Sequence, residues 1–287
     1  MKAIENTSWE NLKNKNPWCK NKKLFNEDTD KLIKQIYDGN KEFVHGSDKK
    51  TITDRNKSLK PKEKDDEFIL SLLPKPYRGN LKDPKLVILS LNPGYKKRVK
   101  TTLFNKLDIK YQREFIETCK SNAFLESSSI ISNEIDDILD NGYWRKQLED
   151  LIVAIYHIKD PDILEEKTYN FSDVALIQFI PYASKSYDSW DKEYSLGTQT
   201  FTKDIIQHLV DETDALFLIM RAKKQWETLI GNNILKKMKD EKRFLFNKHP
   251  ICQKISEKNL MNKYASIPSE YDGNQFKYIL NKICSNI

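Results

Sequence analysis

Short apolar runs, separated by amphipathic segments, constrain the fold of this 287-residue chain more than any other feature. The runs lie at residues 86–91, 174–180, 215–220 and 243–247. Because they are almost entirely apolar, strands built from them need cover on both faces. Helical patterns lie at 129–140, 143–158, 199–212, 222–235 and 274–285. This alternation predicts an α/β protein, a three-layer α/β/α sandwich with a short, mostly parallel central sheet.

The chain before the first run has a different character and predicts a small, basic helical appendage at residues 1–66. Within it, Asp28 can cap a helix and Gly39 can end it. The stretch 45–66 is polar and charged, which favours a linker or mobile loop. The remaining residues, 67–287, form the predicted main domain.

Charge and composition narrow the classes of partner. The chain has 49 Lys and Arg against 42 Asp and Glu, and this net charge of +7 favours a polyanion such as nucleic acid. No run approaches the ~20 apolar residues of a membrane span, and the start lacks the apolar core of a secretion signal, so we expect a cytoplasmic protein. The cysteines are far apart, without a C-x-x-C pair, which predicts reduced thiols and no metal.

Polar and aromatic residues follow every predicted strand, at the edge where ligands of parallel sheets bind. The first strand runs into Asn92-Pro93-Gly94-Tyr95 and the second into 181–190. The third runs into Arg221 and the fourth into 247–260. Since the carboxyl ends of parallel strands share one edge, we expect these segments to line a single cleft.

This order of motifs resembles the uracil-DNA glycosylase superfamily over roughly residues 74–262. Asn92-Pro93-Gly94 is similar to the first motif of the mismatch-specific uracil and thymine glycosylases, and 74–80 (PKPYRGN) resembles members with less defined substrates. The resemblance implies a cofactor-independent DNA glycosylase that acts on a flipped-out base in double- or single-stranded DNA. It also suggests defence against invading DNA that carries modified bases.

The resemblance gives Asn92 the role of orienting the hydrolytic water with its amide oxygen. Pro93 and Gly94 would form a tight turn that lets the backbone approach the base and sugar. An amide cannot accept a full proton, so such an enzyme depends on positioning and on a good leaving group. We therefore expect a damaged, mismatched or modified base.

Two further residues would contact the base. Tyr95 would form a wall of the pocket, unless it packs beneath the turn. Gln178 lies near the position where relatives carry an Asn that reads the flipped base. The alternative for Gln178 is a hydrogen bond to neighbouring backbone.

The last motif resembles its counterpart only in part. His249, followed by Pro250, would donate to the base oxygen that gains charge, but the expected Ser does not follow directly. Ser256 and Asn259 are the alternative functional residues of a longer loop, in which case His249 is a turn residue. Candidates for the apolar side chain that relatives insert into the base stack are Ile251, Ile255 and Leu260.

Cations and hydroxyl groups near the strand ends predict contacts with DNA phosphates. The predicted contact residues are Lys96, Lys97, Arg98, Ser184, Lys185, Ser186, Arg221 and Lys248. Two other classes of function remain open. One is a catalytically inactive nucleic-acid-binding module with the same fold, and the other is an enzyme of free nucleotides or nucleosides. The oligomeric state is also open.

Overall fold

The structure of the protein is a computed structural model. It describes residues 8–20, 24–25, 27–39, 41–93, 104–127, 143–159, 171–184, 195–247, 254–263 and 265–285. The strands of its sheet are β1 (Tyr77–Arg78), β2 (Leu86–Ser90), β3 (Val174–Gln178), β4 (Leu216–Ile219) and β5 (Phe244–Phe246). Helices before β2 are α1 (Trp9–Lys15), α2 (Pro17–Lys20), α3 (Thr29–Asp38) and α4 (Lys49–Ser58). Those after β2 are α5 (Ile109–Ala123), α6 (Tyr143–Lys159), α7 (Gln199–Glu212), α8 (Lys223–Ile230), α9 (Asn232–Asp240), α10 (Glu257–Leu260) and α11 (Gln275–Cys284).

The sheet has the order β1-β3-β2-β4-β5. The β2–β3, β2–β4 and β4–β5 pairs are parallel, and β1 pairs antiparallel with β3. The prediction of a mostly parallel sheet in an α/β protein is thus confirmed. The short antiparallel strand β1 was not predicted, because two residues carry no periodicity.

Successive side chains of the strands point to opposite faces, and each face has its own apolar cluster. Face A includes Val87, Leu89, Ala175, Ile177, Phe217 and Ile219, and face B includes Leu86, Ile88, Val174, Leu176, Leu216 and Leu218. Apolar residues of α1, α3, α5, α7, α8 and α9 join face A, whereas those of α6 and α11 join face B. Both faces are covered, as the uniformly apolar strands required, and this arrangement is compatible with the predicted sandwich.

Most predicted helices agree with the structure. Helix α7 has the predicted bounds, α6 differs by one residue at its C-terminal end, and α11 differs by one residue at each end. The segment 222–235, predicted as one helix, contributes to two, because Gly231 adopts a φ of +83° between α8 and α9. Helix α5 was missed because polar residues lie among its buried positions. The predicted helix at 129–140 lies outside the described residues.

The predicted linker at 45–66 is wrong. Helix α4 and a 3₁₀ helix, Pro61–Asp66, fill much of this segment. Ile52 is fully buried, and so is Arg55, which donates to the backbone oxygen of Asp66. The Arg55 guanidinium lies 4.4 Å from the ring centre of Phe68. The charged composition had indicated solvated chain, but Arg55 lies inside the protein, against the backbone of Asp66 and the ring of Phe68.

The N-terminal helices and the sheet contribute to one apolar cluster. Asp28 caps α3 and Gly39 ends it in the left-handed conformation, as predicted. Trp18 and Phe25 are buried in the cluster of face A. Among the described residues, no helix combines the length and the hydropathy needed to cross a membrane.

Candidate functional site

The carboxyl ends of β2 and β4 lie where the strand order reverses. The chain leaves β2 for β3 on one side and later returns to β4 on the other. In parallel sheets the crevice outside such a reversal is the usual place for a ligand. Asn92 follows β2 by two residues and Arg221 follows β4 by two, so both lie at this crevice.

Asn92 is held by the loop that follows β3. Its Nδ2 donates to Ser184 Oγ at 2.8 Å and to Pro93 O at 3.3 Å. The backbone N–H of Ser184 donates to the same Pro93 oxygen at 3.4 Å. No described residue donates to Asn92 Oδ1. The carboxamide is therefore fixed through its nitrogen, while its oxygen is available to a water or ligand.

Backbone pairing beyond the strands brings these two loops together. The N–H of Phe179 donates to Ser90 O at 3.0 Å, and that of Ile180 donates to Leu91 O at 2.8 Å. The indole of Trp226 also donates to Ser90 O, at 3.1 Å, from the first turn of α8. The last residues of β2 are thus anchored from both sides directly before Asn92.

Gln178 has a buried acceptor without a donor. It is the last residue of β3, pairs in register with Ser90, and is 4% exposed. Strand alternation after Ile177 places its side chain on face B. Its Oε1 accepts no hydrogen bond from the described residues. The alternative in which this oxygen bonds neighbouring backbone is therefore not seen, and the acceptor is both buried and unpaired.

The unpaired oxygen makes Gln178→Leu a stabilising change. Removing a buried, unsatisfied polar group with little change of volume should raise the free energy of unfolding by about 1 kcal/mol. Gln199 is the matched control, since it is also 4% exposed but accepts from Leu196 N and donates to Phe179 O. Gln199→Leu should lower the same quantity by about 1–3 kcal/mol. Urea unfolding measures both, and destabilisation by both variants would show that Gln178 is satisfied in solution.

No family model, curated protein or solved structure matches this chain. Its function must therefore be inferred from the site itself. Within the described part of the chain, no three His, Cys, Asp or Glu side chains are arranged to hold a metal ion.

The start of α6 brings Tyr143 near Arg221, a proximity that the sequence did not indicate. Trp144 is buried, whereas Tyr143 is 37% exposed. Burial of its hydroxyl raises the pKa of Tyr143 to about 12, and the nearby charge of Arg221 opposes this shift. Tyr143 is therefore a neutral donor at pH 7 beside the cation that follows β4.

Ser256 and Asn259 have local structural roles. The Ser256 hydroxyl accepts from the N–H of Asn259 and caps α10, and Asn259 Nδ2 donates to Lys254 O at 2.8 Å. Each residue is 9% exposed. Ile255 and Leu260 are fully buried on face B, so neither is placed to enter a base stack.

The other predicted site residues divide into two groups. Ser184 is described, but at 2% exposure it bonds Asn92 and presents little surface to a phosphate. The following residues lie outside the described part of the chain, and their roles stay predictions: Gly94, Tyr95, Lys96, Lys97, Arg98, Lys185, Ser186, Lys248, His249 and Ile251.

Proposed function

We propose that the protein is a DNA glycosylase, which hydrolyses the N-glycosidic bond of a flipped-out damaged, mismatched or modified base in cytoplasmic DNA. The observation that most supports this proposal is the Asn92 carboxamide, anchored by Ser184 with its oxygen open at the strand-order reversal. The resemblance of Asn92-Pro93-Gly94 to the mismatch-specific uracil and thymine glycosylases agrees with it.

The chemistry needs a positioned water and a stabilised leaving base. Cleavage passes through an oxocarbenium-like sugar, while negative charge grows on the departing base. Asn92 Oδ1 would accept a hydrogen bond from the water and aim its oxygen at the sugar carbon. Because Ser184 occupies Nδ2, the carboxamide keeps one orientation through the reaction. An amide does not take the proton, so the rate depends on a base that leaves readily.

Gln178 and Arg221 would supply the other contacts. The Gln178 oxygen can accept a hydrogen bond from an N–H on the edge of the base, which would offset the cost of its burial. Arg221 brings positive charge to the end of β4, next to Tyr143. Extrusion of the base costs a few kcal/mol, and phosphate contacts would offset this cost.

A DNA panel tests the proposed activity. Duplex and single-stranded DNA that carry uracil, mismatched thymine or modified cytosines are incubated with the protein, and abasic sites are measured. We expect release of one of these bases without an added cofactor. DNA binding without abasic sites on any panel would instead support the inactive binding module.

The phosphate contacts predict a specific salt dependence. Replacing Lys96, Lys97 and Arg98 by Ala should reduce the slope of log affinity against log salt by about 0.9 for each phosphate that is no longer neutralised. The control triple is Lys82, Lys85 and Lys282, because Lys85 and Lys282 pair with Asp214 before β4, at the opposite edge of the sheet. Fluorescence anisotropy over a salt series measures the slopes. If the two triple variants have equal slopes, Lys96, Lys97 and Arg98 do not contact DNA phosphates.

A further inference from the structure

The Asp48 carboxylate is fully buried and accepts hydrogen bonds from three residues. Tyr182 Oη donates to Oδ2 at 2.8 Å, and Thr198 Oγ1 donates to the same oxygen at 2.7 Å. The backbone N–H of Thr198 and the hydroxyl of Ser47 donate to Oδ1 at 2.9 and 3.2 Å. Burial of a carboxylate is costly unless it is hydrogen-bonded, and these four neutral donors satisfy it.

Tyr182 connects this carboxylate with the candidate site. It is 1% exposed and lies two residues before Ser184, the residue that holds Asn92. Its hydroxyl also accepts from the N–H of His45 at 3.1 Å. Burial, and the negative charge of Asp48, raise the pKa of Tyr182 well above its usual value, so the hydroxyl remains a donor.

The segment 181–184 is therefore held on two sides. On one side, Asp48 holds the Tyr182 hydroxyl, and the N–H of Ile69 donates to Ala183 O at 2.8 Å. On the other side, Ser184 bonds the side chain of Asn92 and the backbone of Pro93. The bond between Tyr182 and Asp48 therefore opposes a shift of this segment away from Asn92.

The Asp48 contact is also closely packed. A Cβ added at Gly197 would lie 2.5 Å from Ser47 Cβ, which is shorter than side chains tolerate. Only glycine at this position lets the loop before α7 bring Thr198 against Asp48. The three chain segments around the carboxylate thus fit without spare space.

We propose that Asp48 is a positioning residue for the candidate site: through Tyr182 it fixes Ser184, and through Ser184 it fixes Asn92. A carboxylate suits this role, because hydrogen bonds to a charged acceptor are about twice as strong as neutral ones. The effect on catalysis rests on the proposed function, but the effect on the position of Ser184 does not.

The test compares two tyrosine variants of the full chain. Tyr182→Phe removes the hydroxyl that Asp48 binds. Tyr77→Phe is the matched control, since Tyr77 is also 1% exposed and its hydroxyl bonds Thr202 Oγ1 at 3.3 Å, whereas that of Tyr182 bonds Asp48. The readout is the hydrogen-exchange rate of the Ser184 amide, measured by NMR, because it reports local opening around Ser184. The reference is the Met220 amide, which bonds Leu89 O in the sheet.

We expect Ser184 exchange to accelerate about tenfold in Tyr182→Phe and to stay unchanged in Tyr77→Phe. Thr198→Val, which removes the second hydroxyl from Asp48, should give the same local acceleration. Unchanged exchange in Tyr182→Phe, or equal acceleration in both tyrosine variants, would overturn the positioning role.

A second readout separates this inference from the proposed function. Single-turnover base release should fall about tenfold in Tyr182→Phe, with the Kd for DNA unchanged, because an orientation effect alters the chemical step more than binding. If the unmodified protein releases no base from any DNA, the proposed function fails, and the Ser184 exchange rates still decide the role of Asp48. If base is released and the rate is the same in both tyrosine variants, Asp48 does not position Asn92 for catalysis.

Discussion

We expect Asn92→Ala to abolish base release, with a drop of at least about 100-fold in the single-turnover rate and an unchanged Kd for DNA. The variant removes the only group that we place on the hydrolytic water, and it leaves the Ser184 backbone bond to Pro93 in place. Because Asn92 is only partly buried, its replacement should change the free energy of unfolding little. Abasic-site formation on the preferred DNA, with the enzyme in excess, measures the rate.

Two further variants test whether the expected loss of base release is specific to Asn92. Asn233→Ala, at an exposed position of α9, is the control for the generic removal of an amide and should release base at the unmodified rate. Ser184→Ala keeps Asn92 but removes one of the two acceptors of its Nδ2, so its rate should lie between the other two. If Asn92→Ala and Asn233→Ala release base equally fast, Asn92 is not the residue that positions the water.

We expect deletion of residues 1–66 to prevent the remaining chain from folding. Ten of the described apolar side chains in this segment are buried, among them Trp18, Phe25 and Ile36. Burial of one such side chain contributes about 1.5–3 kcal/mol, whereas a whole domain is stable by only about 5–15 kcal/mol. The deletion would expose the facing residues of the shared core, including Phe68 and Phe201.

Circular dichroism and size-exclusion chromatography of the 67–287 fragment measure this outcome. We expect aggregated or unfolded protein without a cooperative thermal transition. Ile52→Ala in the full chain is a smaller perturbation of the same region, with an expected destabilisation of about 2–5 kcal/mol. A monomeric 67–287 fragment with a cooperative transition would instead make the first 66 residues a separable appendage, as the sequence had suggested.

The sequence predicts the sheet well because its strands are buried on both faces. Runs such as 86–91 and 215–220 are apolar at every position or nearly so, and only a strand covered by helices needs that pattern. The boundaries of α7 were also correct, since its apolar residues recur at helical spacing. In contrast, the sequence predicts one helix through Gly231. The positive φ that separates α8 from α9 depends on how these two helices pack, so the local sequence does not reveal it.

Polar residues inside the protein account for most of the errors. The charged residues around Arg55 predict a solvent-exposed segment. Only the fold shows that the Arg55 guanidinium donates to the backbone oxygen of Asp66. Helix α5 was missed for a similar reason, since Gln112 is one of its buried residues. Hydrogen bonds between distant residues carry no local signal.

The same limit applies to the candidate site. Asn92 could be predicted, because a turn motif directly follows a buried strand. The partnership of Ser184 with Asn92 spans 92 residues, and nothing in either segment indicates it. The unpaired oxygen of Gln178 and the burial of Asp48 are likewise properties of the assembled fold.

The bonds of Asp48 also set the order in which the chain can fold during synthesis. Its partners Tyr182 and Thr198 lie 134 and 150 residues later in the sequence. At ribosomal rates of about 5–20 residues per second, roughly 8–30 s separate the appearance of Asp48 from that of Thr198. Until then the carboxylate has to remain in water, and the N-terminal helices cannot complete their core. The first residues to leave the ribosome are thus among the last to reach their final environment.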